Sequence, residues 1–139
     1  MDRLLDTEDT PLIRTAFGDD AAWQSLLADM AKEASEGFRA YVSIVSDLSF
    51  ENSSAETLAR TVALNNKHSI ALIADDKAMN ISDQTLLVIG TAAPHPLFRV
   101  SVRALWMVEN NLSIANMDFV EFTGALDETG VFRGPLPGS

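Results

Sequence analysis

The sequence predicts a single α/β domain, with helices packed on a mixed sheet of about five strands in the order βαβαβββα. The 139-residue chain has the length of one domain. Along its first half, apolar residues at helical spacing alternate with short apolar runs, which predicts helices between strands. In the second half, apolar and polar residues alternate over residues 98–103, as in a strand with one exposed face. Strands separated by helices are expected to be parallel, with right-handed crossovers.

The first half of the chain predicts three strands separated by two helices. The predicted strands lie at 11–17, 41–46 and 70–74, and the predicted helices at 21–34 and about 54–64. Asp19 or Asp20 is a suitable N-cap for the first helix, and Gly37 stops it. Ser53 or Ser54 is the expected N-cap of the second helix, and Ser53 and Glu56 have the spacing of a capping box. The third strand is apolar throughout, which indicates a central strand buried on both faces.

The second half predicts a hairpin followed by two helices. The predicted elements are strands at 86–89 and 98–103, a short helix at 104–111 and a last helix at about 117–126. The short loop between the two strands favours an antiparallel pair. Asn116 is the expected N-cap of the last helix, Phe122 lies on its buried stripe, and residues 131–133 pack back on the sheet. The organisation is therefore a flexible acidic arm at 1–10, the domain at 11–134 and a tail at 135–139.

The composition excludes several function classes. The chain has no cysteine and two histidines, which excludes disulfides and thiolate chemistry and leaves little material for nucleophilic catalysis. A net charge of −10 argues against binding to nucleic acid or anionic membranes, because both need basic surfaces. The sequence has neither a run of 18 apolar residues nor a signal peptide, so a cytoplasmic protein without a membrane span is expected. Basic proteins and cations remain as partners.

Aspartates follow each of the three predicted parallel strands and suggest a divalent-metal site. They are Asp19 and Asp20 after the first strand, Asp47 after the second, and Asp75 and Asp76 after the third. Ligands of α/β proteins bind outside the carboxyl ends of such strands, and carboxylate oxygens suit Mg²⁺ or Ca²⁺. The alternative is that these residues cap helices and form turns, which aspartate favours because it hydrogen-bonds the local backbone. No other cofactor is indicated.

A second set of candidates lies on the last predicted strand and just after it. Arg99 and Arg103 fall on one face of the strand, where they could clamp a carboxylate or a phosphate. Alternatively, the two arginines lie on an edge strand and prevent it from pairing with another chain. A polar recognition surface for a ligand or partner is predicted beside them, formed by Trp106, Glu109, Asn110 and Asn111. The alternative for the asparagines is that they cap helix ends.

Two stretches of the sequence resemble a known family. One reads ENNLSIANMDFVEF over residues 109–122 and is followed by GVFRG at 130–134. The other runs from Arg14 to Trp23 and contains two consecutive aspartates. On these residues the chain resembles an uncharacterised bacterial family of small acidic proteins, a domain of unknown function, over about residues 11–134. The resemblance implies a single-domain protein and carries over no catalytic residue.

These observations leave three functional hypotheses. The leading one is a non-enzymatic, acidic protein-binding module, immunity- or inhibitor-like, whose partner is a basic protein. Its support is the small size, the net charge of −10 and the scarcity of catalytic residue types. The second is a divalent-metal-dependent enzyme that uses the five aspartates. The third is a sensor of a small anionic ligand, with Arg99 and Arg103 as the clamp.

Overall fold

The fold is built on one mixed sheet of six strands in the order β2-β1-β3-β4-β5-β6. A computed structural model describes residues 6–114 and 117–134. The strands are β1 (Thr10–Arg14), β2 (Val42–Val45), β3 (Ile70–Ala74), β4 (Thr85–Gly90), β5 (Leu97–Ser101) and β6 (Val131–Phe132). The helices are α1 (Asp20–Ser35), α2 (Ala55–Ala63), α3 (Leu105–Ser113) and α4 (Phe119–Thr123). The predicted α/β class and mixed sheet are confirmed, with six strands instead of about five.

The strand pairing follows the connections along the chain. Strand β1 pairs in parallel with both β2 and β3, as the intervening helices predict. Strands β3, β4 and β5 are antiparallel neighbours, so the predicted hairpin is confirmed. The sixth strand is the segment expected to pack back on the sheet, and it pairs in parallel with β5. The parallel strands β1, β2 and β3 therefore all begin at one end of the sheet and finish at the other end.

Helices cover the two faces of the sheet unequally. Helices α1, α3 and α4 place Trp23, Val108 and Phe122 against one face, in a core that includes Leu12 and Leu72. Helix α2 covers the other face with a smaller cluster of apolar side chains. Trp23 and Phe122 are 3% and 0% exposed, which confirms that both belong to buried helical stripes. None of the helices formed by the described residues is long and apolar enough to cross a membrane.

Helix α1 begins and ends where local chemistry predicts. The Asp19 side chain accepts a hydrogen bond from the Ala22 backbone N–H at 2.9 Å, which makes it the N-cap. At the other end Gly37 adopts a φ of 92°, and the Phe38 N–H donates to the Glu33 carbonyl at 3.0 Å. This left-handed turn is the Schellman arrangement, and glycine adopts it without steric strain.

The starts of α2 and α4 compare differently with the prediction. Ser54 caps α2 by accepting a hydrogen bond from the Thr57 N–H, so the cap is the second of the two predicted serines and not Ser53, which has the capping-box spacing. Helix α4 has Asp118 at its N-cap position and spans five residues, shorter than predicted. The predicted cap Asn116 lies outside the described residues.

Two predicted strands also end earlier than expected. The strand predicted over 98–103 ends at Ser101, because Val102–Ala104 form a 3-10 turn that leads directly into α3. Arg103 therefore lies on a turn and not on the strand. The first strand is Thr10–Arg14 where 11–17 was predicted. Thr10 is buried in β1 and does not belong to an arm.

Candidate functional site

The five aspartates at the carboxyl ends of the parallel strands do not converge. Asp19 caps α1, Asp20 pairs with Arg14 at 3.1 Å, and the Asp47 side chain accepts the Ser49 N–H at 2.9 Å. Asp75 pairs with an arginine, and Asp76 lies in the first turn of the 3-10 segment Asp76–Met79. Within 6–114 and 117–134, no three His, Cys, Asp or Glu side chains are placed to hold a metal ion. These carboxylates are placed by caps, turns and ion pairs, the alternative that the sequence left open.

The two arginines of the predicted anion clamp are separated by the end of β5. Arg99 has a side chain only 14% exposed, and its guanidinium donates two hydrogen bonds to Asp75 at 2.7 and 2.9 Å. It donates two more to the hydroxyl and carbonyl oxygens of Thr85. Arg103 lies on the following turn and is exposed. Arg99 is therefore used to join β5 to β4 and to the loop after β3.

A cleft of about 610 Å³ lies at the opposite end of the parallel strands, where these strands begin. It is lined by Glu8, Asp9, Thr10, Tyr41, Lys67, His68, Glu109, Asn110, Ser113 and Ile114. Thr10 is the first residue of β1, Tyr41 immediately precedes β2, and His68 comes shortly before β3. The carboxyl-terminal half of α3 forms the remaining wall. The cleft therefore gathers two of the predicted recognition residues, Glu109 and Asn110.

Glu109 is the central residue of this cleft. It is 2% exposed, although it carries a carboxylate. One oxygen accepts the Thr10 hydroxyl at 3.0 Å, and the other accepts the Tyr41 backbone N–H at 2.8 Å. The Asn110 side-chain amide donates to the same carboxylate at 3.0 Å and to the Arg39 carbonyl at 3.0 Å. Three donors thus hold Glu109 in one position and join α3 to the beginnings of β1 and β2.

The charges of the cleft are mostly acidic. Glu8 and Asp9 add two carboxylates to that of Glu109. Lys67 is the basic residue of the lining, and it pairs with Asp6 at 3.5 Å. Across 6–114 and 117–134, Glu109 has hydrogen bonds but no ion pair with a lysine, arginine or histidine. The cleft therefore combines a buried carboxylate that has no ion pair with any described residue and a surplus of negative charge.

The other predicted recognition residues have different surroundings. The Trp106 ring contacts the Phe38 ring, with centroids 5.2 Å apart, outside the cleft. The Asn111 side chain donates to the Met107 carbonyl one turn earlier in its own helix, at 2.7 Å. Asn110 and Asn111 both lie in the last turn of α3, so neither is the residue that ends the helix.

Sequence reasoning missed Thr10 and Tyr41 as members of the site. A signal for Glu109 was nevertheless present in the sequence. Leu105, Val108, Glu109 and Leu112 follow the spacing of one helical stripe, and all four are buried. An acid on an otherwise apolar stripe must find donors inside the protein, because burying an unpaired carboxylate is costly. Which residues supply those donors depends on contacts between distant parts of the chain.

Comparison with known proteins identifies the family. The family model described as "Domain of unknown function (DUF6924)" matches residues 9–135. Since the match covers almost the whole chain, this protein belongs to that family. No curated protein matches the chain.

Proposed function

We propose that this DUF6924 protein is a non-enzymatic binding module, immunity- or inhibitor-like, for a basic protein partner. The partner contacts the cleft where the parallel strands begin. The observation that supports it is the buried Glu109 carboxylate, which has no ion pair across 6–114 and 117–134. Its three hydrogen bonds satisfy oxygen atoms but do not neutralise the charge. A lysine or arginine of a partner would supply the missing positive charge, and close charge pairs of this kind contribute net affinity in some interfaces.

The overall charge supports the same partner class. A net charge of −10 produces a negative potential that attracts basic proteins and raises their association rate. Within the cleft, Glu8 and Asp9 extend this potential toward solvent. The non-enzymatic part of the proposal rests on the scarcity of cysteine and histidine side chains in the chain. The chain has no cysteine, and the His68 ring in the cleft already hydrogen-bonds the Thr7 carbonyl at 2.9 Å.

The proposal is tested with two labelled nine-residue peptides, one basic and one acidic. The basic peptide alternates lysine or arginine with valine or threonine, and the acidic peptide carries glutamate at the same positions. Fluorescence anisotropy measures binding between 20 and 300 mM NaCl. We expect binding of the basic peptide only, with an affinity that falls as salt rises. Glu109→Gln should weaken it at least about tenfold, which corresponds to about 1.4 kcal/mol.

The matched control removes the same charge elsewhere. Glu128→Gln changes an exposed acid in the turn before β6. Strands β6 and β2 are the two outermost strands of the sheet, on opposite sides. The variant should change the affinity by less than about twofold, since exposed charges at a distance are screened. If Glu109→Gln proves unfolded by circular dichroism, Glu8→Gln, an exposed residue of the cleft, replaces it. Equal binding of both peptides, or equal loss in the cleft and control variants, would contradict the proposal.

A further inference from the structure

Strand β2 is an open edge of the sheet. Its four residues pair with β1 on one side, and no strand of the described residues pairs on the other. An edge strand presents a row of unpaired backbone N–H and C=O groups that can template another strand. Natural proteins guard such edges with charged residues, prolines or bulges. The sequence of β2, Val-Ser-Ile-Val, carries no charged residue and no proline.

The opposite edge of the sheet provides the contrast. Strand β6 has only two residues, so it offers a partner little backbone. It is followed by Arg133, which pairs with Asp83 at 2.8 Å and with Asp127 at 2.6 Å. A short strand next to a fixed cluster of charges is protected against pairing with a strand of another chain. Strand β2 is twice as long, and its own four residues carry no charge.

The exposed side chains along β2 are apolar and lead to the cleft. Ile44 is 44% exposed, and Tyr41, immediately before the strand, is 52% exposed. The Tyr41 N–H is the group that donates to the Glu109 carboxylate at 2.8 Å. Tyr41 therefore lies both at the start of the open edge and in the lining of the acidic cleft.

We propose that an extended segment of the basic partner adds to the sheet alongside β2 and places a lysine or arginine side chain in the cleft near Glu109. This inference rests on the proposed function and specifies the mode of binding. In strand addition, main-chain hydrogen bonds supply affinity, and alternate side chains supply specificity. The expected segment carries a cation at the end near Tyr41 and an apolar residue beside Ile44.

Charge selects this occupant over a second copy of the chain. Each copy carries −10, so two copies joined at β2 would place like charges together. Glu8 and Asp9 would add to the negative charge that each copy brings to such an interface. A basic segment instead meets acids at that end and neutralises them. Charge complementarity and the unguarded edge thus favour the same partner.

The test uses the basic nine-residue peptide and two versions of it with N-methylated backbones. One version is methylated at odd positions and the other at even positions. An added strand directs alternate N–H groups toward its neighbour, so only one version should lose binding. We expect that version to bind at least tenfold more weakly, and the other to stay within threefold of the unmodified peptide. The amide N–H groups of residues 42–45 that point away from β1 should also become protected from hydrogen exchange.

A pair of variants tests the same edge from the protein side. Ile44→Lys places a cation on the exposed edge and should weaken binding of the basic peptide at least tenfold. Ile44→Thr keeps a β-branched side chain without charge and should stay within threefold. Circular dichroism establishes that both variants are folded.

Each outcome separates the two proposals. Equal binding of all three peptides, with both Ile44 variants unaffected, overturns strand addition and leaves the proposed function standing. Failure of the unmodified basic peptide to bind overturns the proposed function. A homodimer at micromolar concentration by analytical ultracentrifugation, lost in Ile44→Lys, would assign the edge to a second copy and overturn the basic segment as its occupant.

Discussion

Replacing Phe122 with alanine is the most direct test of the packing that holds α4 on the sheet. Phe122 is 0% exposed and lies between two other aromatic rings. Its ring stacks on that of Phe98, with centroids 5.8 Å apart and an interplanar angle of 11°. It meets Phe132 of β6 edge-on, with centroids 5.1 Å apart. One side chain therefore links a short helix to two strands.

The expected loss for Phe122→Ala follows from this environment. Truncation of a buried phenylalanine typically costs about 3–5 kcal/mol, and the cost rises when the site cannot collapse. Aromatic pairs add about 0.5–1.5 kcal/mol each beyond the area that they bury. Because two such pairs are lost, we expect about 4 kcal/mol. A domain of this size has a total stability of about 5–15 kcal/mol, so the variant should remain folded but close to its limit.

Urea denaturation, followed by tryptophan fluorescence, measures this loss as a lower midpoint at an unchanged slope. The matched control is Val120→Ala on the same helix. Val120 is 77% exposed, so its truncation should change the free energy of unfolding by less than about 0.5 kcal/mol. A loss below 1 kcal/mol for Phe122→Ala, or equal losses for both variants, would refute the placement of α4.

Three further predictions concern polar contacts. Asp19→Ala should lower the free energy of unfolding by about 1 kcal/mol in urea denaturation, because α1 loses its N-cap, whereas replacement by Asn should be tolerated. Arg99→Leu should cost about 3 kcal/mol by the same measurement, because it leaves Asp75 without its partner, and adding Asp75→Asn should restore more than half. The Thr129 hydroxyl, as the first of several hydrogen bonds, lowers the pKa of Asp127. The stability from that carboxylate is fully present above the unfolded pKa of about 4 and is lost progressively as pH falls from there through the lower folded pKa, so Asp127→Asn should lower Tm more at pH 7 than at pH 3.

Much of the fold was predictable because its signals are local. The apolar run of β3 gave the same bounds in sequence and structure, Ile70–Ala74. Asp19 and Gly37 marked the two ends of α1 through hydrogen bonds within a few residues. The end of β5 was not predictable in the same way. Val102 and Ala104 are both buried, so the apolar alternation of a strand continues through a turn and hides the boundary.

The candidate site was less predictable because it depends on contacts between distant residues. The rule that ligands bind at the carboxyl ends of parallel strands directed attention to the aspartates there. One of them, Asp75, is engaged by Arg99, which lies 24 positions away in the sequence. Glu109 was identified as a candidate, but its donor Thr10 is 99 positions away. Sequence spacing alone does not reveal pairs of this kind.

The position of Glu109 would let one residue serve both folding and the proposed binding. Its carboxylate accepts donors from the beginnings of β1 and β2, so it fixes the end of the edge strand that a partner would extend. Glutamine would keep one acceptor oxygen and avoid burying a charge, but it would place an NH2 group where the second carboxylate oxygen accepts a hydrogen bond. A charge buried without a counter-ion is a stability cost that hydrogen bonding only partly offsets. In the proposed function, the negative charge of Glu109 is the property that a lysine or arginine of the partner would use.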